Sequence, residues 1–212
     1  MPRTKLLIAA SSALAALSIA VPSCATAEWF VNGAKLTTTA AVATTASVDT
    51  GVTLNSPSLH LTIKCSGATL ELHVHEIFPN GALRYIAHAW LGCSVVQPTS
   101  CSIPSEITSN AVTGTTTTGT SPEDRLTQKP TSGRLLAAIT FEGATCPFLG
   151  EEPLDGSFTE KLPTGQNESV IQAVESLGST ENNSLELAGA KAYFEGGKAL
   201  LKLASGSKWS FH

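Results

Sequence analysis

The 212-residue sequence predicts an all-β fold, an antiparallel β-sandwich or a jelly-roll-like barrel, set behind an N-terminal signal peptide. Three observations predict it. Thr, Ser, Gly, Val, Ile and Leu dominate the composition, and charged residues make up only 14% of the chain. Turn signals return about every 8–12 residues, the spacing of short strands in a sandwich or barrel. Several segments between those turns alternate apolar and polar residues, the period of a strand with one buried face.

Residues 1–27 read as a secretory leader. Arg3 and Lys5 precede an apolar run from Leu6 to Val21, and Ala25-Thr26-Ala27 offers a small-x-small cleavage site before Glu28. Residues 28–212 are then expected as a single β-rich domain, long enough to bury a core. The apolar run is shorter than the roughly 20 residues a bilayer helix needs, and no later segment is a candidate span. Val21-Pro22-Ser23-Cys24 also has the outline of a lipoprotein box, with Cys24 as the acylated residue, although Pro22 fits it poorly. Loss of Arg3 and Lys5 takes the net charge from −4 to −6. Such an acidic surface disfavours nucleic acid and anionic membranes as partners. An extracellular ligand or a cell-envelope component is expected instead.

Element by element, Trp29-Phe30-Val31, Asn32-Gly33 and Ala34-Lys35-Leu36 form a hairpin signature. A type I′ turn needs φ > 0 at both central residues, which Asn-Gly supplies. Residues 37–49 read as a solvated strand or a loose connection. Leu59, Leu61 and Ile63 share one face of the next strand. Leu70, Leu72 and Val74 do so in residues 69–78. After Pro79-Asn80-Gly81, residues 83–91 read as one strand, with Leu83, Tyr85, Ala87, Ala89 and Leu91 inward. Residues 109–130, polar and Thr-rich, predict an exposed strand and a loop around Ser121–Asp124. Arg134–Phe141 is a strong strand, and a weaker one lies near Phe158. Residues 168–177 fit either a helix, on Val170, Ile171, Val174 and Leu177, or a strand. Short strands follow at 185–187, 190–195, 198–203 and 207–211, with Gly196-Gly197 and Ser205-Gly206 as turns. Trp29 and Trp209 suggest that both ends of this region pack into the sheet.

Beyond the leader, four cysteines remain: Cys65, Cys93, Cys101 and Cys146. An even number in an exported chain reads as two disulfides. Of three connectivities, Cys93–Cys101 and Cys65–Cys146 are preferred, because Pro98 lets the short 94–100 segment turn back. Loops of about 9 and 80 residues would be worth roughly 2.5 and 4.5 kcal/mol. No C-x-x-C pair supports zinc.

His73-Val74-His75 is the one metal-like pattern. Two histidines two apart share a strand face, and Gly67 followed by His73-x-His75 matches the opening of a cupin motif. The carboxylate that should follow is replaced by Pro79 and Asn80, and no second motif is found. A metal-dependent cupin-like enzyme on His73 and His75 is therefore an alternative only. No G-x-S-x-G elbow or phosphate loop occurs. Glu123-Asp124 and Glu151-Glu152 read as solvated turn charges. Trp29, Trp90, Trp209, Tyr85 and Tyr193 could build a sugar-stacking face, and could equally be core anchors. The sequons at Asn167 and Asn182 carry no weight behind a leader of bacterial type.

Trp29-Phe30-Val31-Asn32-Gly33-x-Lys35-Leu36, the spaced cysteines with Gly92-Cys93 and Cys101, and the ending Lys198–Leu203, Ser205-Gly206 and Lys208-Trp209 together resemble a group of exported bacterial β-rich, cysteine-bridged proteins of unknown function. The resemblance implies secretion and a β fold, and it assigns no site residue. The expected function is a secreted or cell-surface non-catalytic protein with a structural or binding role, not an enzyme, and no cofactor is expected. A carbohydrate- or ligand-binding module is the first alternative.

Overall fold

A computed structural model describes residues 28–44, 51–69, 75–85, 87–117, 124–162, 165–170, 172–176, 178 and 184–211. Its strands are β1 (Trp29–Val31), β2 (Ala34–Lys35), β3 (Ala40–Thr44), β4 (Val52–Ser56), β5 (Leu61–Thr69), β6 (His75–Ile77), β7 (Ala82–Tyr85), β8 (Ala89–Gln97), β9 (Glu106–Thr108) and β10 (Val112–Thr117). They continue as β11 (Asp124–Pro130), β12 (Leu135–Phe141), β13 (Gly150–Asp155), β14 (Phe158–Leu162), β15 (Gly165–Ser169), β16 (Gln172–Ser176), β17 (Leu185–Leu187), β18 (Ala190–Leu203) and β19 (Trp209–Phe211). A 3₁₀ turn at Pro57–Leu59 is the only helical element among the described residues.

The pairings resolve into one nearly closed antiparallel barrel of eight long staves. Each of seven staves is two successive strands: β3 with β4, β5 with β6, β7 with β8, β9 with β10, β11 with β12, β13 with β14, and β16 with β17. The eighth is β18, which runs the whole length. Lower segments pair round the ring as β3-β6-β7-β10-β11-β14-β16-β18, and β18 returns to β3. Upper segments pair as β18-β4-β5-β8-β9 and as β12-β13-β17-β18. The Ser109↔Ala137 bridge joins the residue after β9 to β12, the Ser102↔Glu142 bridge links the segments beyond their other ends, and together they complete the upper ring. Neighbouring staves are neighbours in sequence, so the connectivity is up-and-down. Among the described residues every stave has a neighbour on both sides, so the wall is nearly closed.

An eight-stranded bore is just wide enough for side chains to fill it. Val52, Leu54, Ile63, Trp90, Ile107, Ile139, Leu154 and Phe194, together with Cys65, surround a void of about 10 Å³ in the upper half. That is room for about one water, and an apolar lining keeps such a space dry. Leu83, Leu126, Leu162, Leu201 and Leu203 are buried in the lower half.

Each mouth is covered. Below, a small sheet of order β15-β19-β1-β2 brings together Trp29, Trp209 and Phe211, with ring centroids 5.5 and 4.8 Å from Trp29. Trp29 Nε1 donates to the Ala82 carbonyl at the start of β7 (3.2 Å), tying this cap to the wall. Its Asn32-Gly33 turn has φ of 50° and 77°, the type I′ geometry expected of the hairpin. Above, the loops after β8 and β12 are joined by the Cys101–Cys146 disulfide.

The disulfides are Cys65–Cys93 and Cys101–Cys146, not the preferred Cys93–Cys101 and Cys65–Cys146. The reason is register. Cys65 and Cys93 face each other across β5 and β8, with Cα atoms 3.9 Å apart. The Cys93 amide donates to Ser105 on the far side, which makes the Cys65–Cys93 position a non-hydrogen-bonded pair, where side chains approach most closely.

Three further expectations are corrected. Gly196-Gly197 is not a turn; φ values of 69° and 83° bend β18 where it passes from upper to lower half, and the strand continues. Residues 83–91 are not one strand: β7 ends at Tyr85, and on resumption Trp90 rather than Leu91 is buried. The Thr-rich 109–130 stretch is not an exposed strand. It supplies β10 and β11, whose Val112, Thr116, Leu126 and Gln128 face the bore and are buried. The strand reading of 168–177 prevails, as the end of β15 followed by β16.

Candidate functional site

Strand alternation places an unusual polar layer at the waist of the bore. On β11, Leu126, Gln128 and Pro130 are buried. On β14, Phe158 and Leu162 are buried, and Glu160, half-buried, lies between them. Register sets Gln128 opposite Phe158 and Leu126 opposite Glu160, so an amide and a carboxyl project inward side by side.

The third member is His88, in the joint between β7 and β8. Its backbone is locked to Ser109: the His88 amide donates to Ser109 Oγ (2.7 Å), and the Ser109 amide donates to the His88 carbonyl (2.8 Å). The imidazole stacks on Trp90 and meets the edge of Phe158, each with centroids 6.0 Å apart. His88 Nε2 lies 2.8 Å from Gln128 Oε1, and Gln128 Nε2 donates to Glu160 Oε2. The amide can donate only through its nitrogen, so its oxygen accepts and His88 carries a proton on Nε2. The three side chains form a directed relay, His88 to Gln128 to Glu160.

Burial drives the electrostatics. Gln128 is fully buried and His88 is 8% exposed. Desolvation pushes the Glu160 carboxyl up to about 7, and the Gln128 hydrogen bond opposes part of that rise. A carboxyl held so close to neutrality takes up or releases a proton within the physiological range. Trp90 and Phe158 pack on the His88 ring, and Leu126 stands opposite Glu160 in the register.

The expected sites fare differently. His73 lies outside the described residues, and the backbone of His75 pairs with Val42. Glu76 forms an ion pair with Arg84 across β6 and β7. No group of three metal-ligating side chains occurs among the described residues. Trp29, Trp90 and Trp209 are all core residues, at 1%, 7% and 3% exposure, so none presents a face for sugar stacking. Glu123 lies outside the described residues, Asp124 opens β11, and Glu151 and Glu152 sit on β13. None of His88, Gln128 and Glu160 is marked by a motif. The one sequence signal was parity: Gln128 falls at an inward position between Leu126 and Pro130.

No protein family, no curated protein and no solved structure matches the chain.

Proposed function

We propose that the chain is an exported, non-catalytic barrel with a structural or binding role outside the cytosol, at the cell envelope or released from it. The observation that carries this reading is the way the bore is used. Among the described residues its upper half is filled by side chains, an aromatic sheet lies at the lower end and Cys101–Cys146 clamps the upper loops, which favours the outer wall and loops as the working surface. Two disulfides support an oxidising compartment, where thiols become crosslinks. An extracellular ligand or an envelope component remains the proposed partner.

Cell fractionation combined with non-reducing peptide mapping tests the reading. The expected product begins at Glu28, is found outside the cytosol, and yields crosslinked peptides containing Cys65–Cys93 and Cys101–Cys146. Cytosolic protein with residues 1–27 intact and all thiols open to alkylation would overturn it.

A further inference from the structure

The relay joins parts of the wall that have no covalent connection at that level. His88 sits where one stave passes from lower to upper half. Gln128 and Glu160 belong to the lower segments β11 and β14. The surrounding rings span both halves: Phe158 of β14 meets Phe194 of β18 edge-on at 5.2 Å, and Phe194 stacks on Trp90 of β8 at 5.3 Å. Side chains from three staves therefore meet at this level.

We propose that the His88–Gln128–Glu160 relay is a proton-operated latch at the barrel waist, closed when Glu160 is neutral and loosened when Glu160 ionises. A neutral carboxyl accepts from Gln128 and lies against Phe158 and Leu126 without a buried charge. An ionised one brings a negative charge into an apolar wall, where it must be neutralised or reached by water. The charged groups around it do not line up to neutralise it. Arg125 and Asp124 on β11, and Lys161 on β14, stand at the next register positions, of which Arg125 and Lys161 alternate to the other side of the sheet. On β16, Ser176 is opposite Glu160, and Glu175 is opposite Lys161. From the β7–β8 joint the facing group is His88, and it reaches Glu160 only through Gln128.

The sign follows from linkage. The folded carboxyl titrates near 7, against 4.5 for an exposed one, so the folded chain holds a proton that the unfolded chain has released. Stability from the neutral form is complete below the unfolded value and is lost as pH rises through the folded value. The latch therefore tightens in mildly acidic surroundings and slackens above neutrality, opposite to a salt-bridged carboxylate.

Amide hydrogen exchange at pH 5.5 and pH 8, corrected for intrinsic rates, tests this on the wild-type protein. Opening of residues 87–90, β11 and β14 should rise by up to about 30-fold at the higher pH, from the roughly 1.5 units of linkage that fall between the two pH values. Residues 135–141 should change far less. The Glu160→Gln variant should show no such rise. Equal protection at both pH values, or an unchanged rise in Glu160→Gln, would overturn the proposal. Should that variant fail to fold, carboxyl ¹³C NMR of wild-type protein decides: a Glu160 resonance titrating between pH 6 and 8 supports the latch, and one titrating below 5 refutes it.

Discussion

The upper and lower halves of the barrel solve the same closure problem with different chemistry. The upper half surrounds a small void with apolar side chains, and both disulfides belong to it. The lower half admits Gln128, Glu160 and Thr116 to its interior and is closed by packing, with Trp29, Trp209 and Phe211 as its lid. Their strands differ in charge too. The upper segments carry four more carboxylates than cations, and the lower segments two more cations than carboxylates. One fold thus holds a covalently fixed half beside a half whose order depends on burial and protonation.

The most disruptive test removes the covalent side of the comparison. Under the chain-entropy picture, the crosslinks close loops separated by 28 and 45 positions. These are worth about 3.5 and 4 kcal/mol respectively. Replacing all four cysteines by serine should cost the greater part of both, read as a lowered urea midpoint. If the upper half loses no more protection than the lower half, the division proposed here fails.

Next comes the aromatic lid. Trp29→Ala empties a fully buried site and deletes the bond to Ala82. A loss of about 3–5 kcal/mol is expected. Exchange should rise first in β1, β19 and β7, while the disulfide-bearing loops stay protected. Uniform loosening of both halves would show that the cap supports the whole barrel.

The smallest effect belongs to the outer wall. Arg84 is half exposed and pairs with Glu76. Arg84→Ala should change stability by less than about 1 kcal/mol, as exposed ion pairs do. A larger loss in thermal unfolding would mean that the Arg84 guanidinium, whose Cζ lies 5.8 Å from the Phe78 ring centroid, matters through that cation–π contact.

The sequence was most readable where one local rule decides the geometry. Asn32-Gly33 permits a type I′ turn and little else, and the hairpin forms there. Leu61 and Ile63 alternate inward as expected, whereas Leu59, expected on the same strand face, ends the 3₁₀ turn before the strand begins. Legibility fails where distant partners decide. Glycines at 196 and 197 favour a reversal locally, yet β18 pairs with β4 on one side of the bend and with β3 on the other, so the strand continues. Thr113–Thr117 looks solvated because threonine is polar. Inside the barrel Thr116 is satisfied by the Gly81 carbonyl at 2.6 Å, a partner 35 positions away. The disulfide pairing followed the β5–β8 register, which no spacing of cysteines reveals. The relay was hidden for the same reason: its members are 40 and 32 positions apart and meet only when the barrel closes.

The stave that closes the barrel is the last to be synthesised. Until Ala190–Leu203 arrives, β3 and β4 on one side and β16 and β17 on the other each lack one of their two neighbours, and the nascent sheet displays two open edges. Joining them brings Val42 to Leu203, a long-range contact of the kind that slows folding. A chain truncated before Ala190 should therefore aggregate through its exposed edges, rather than persist as a smaller soluble domain.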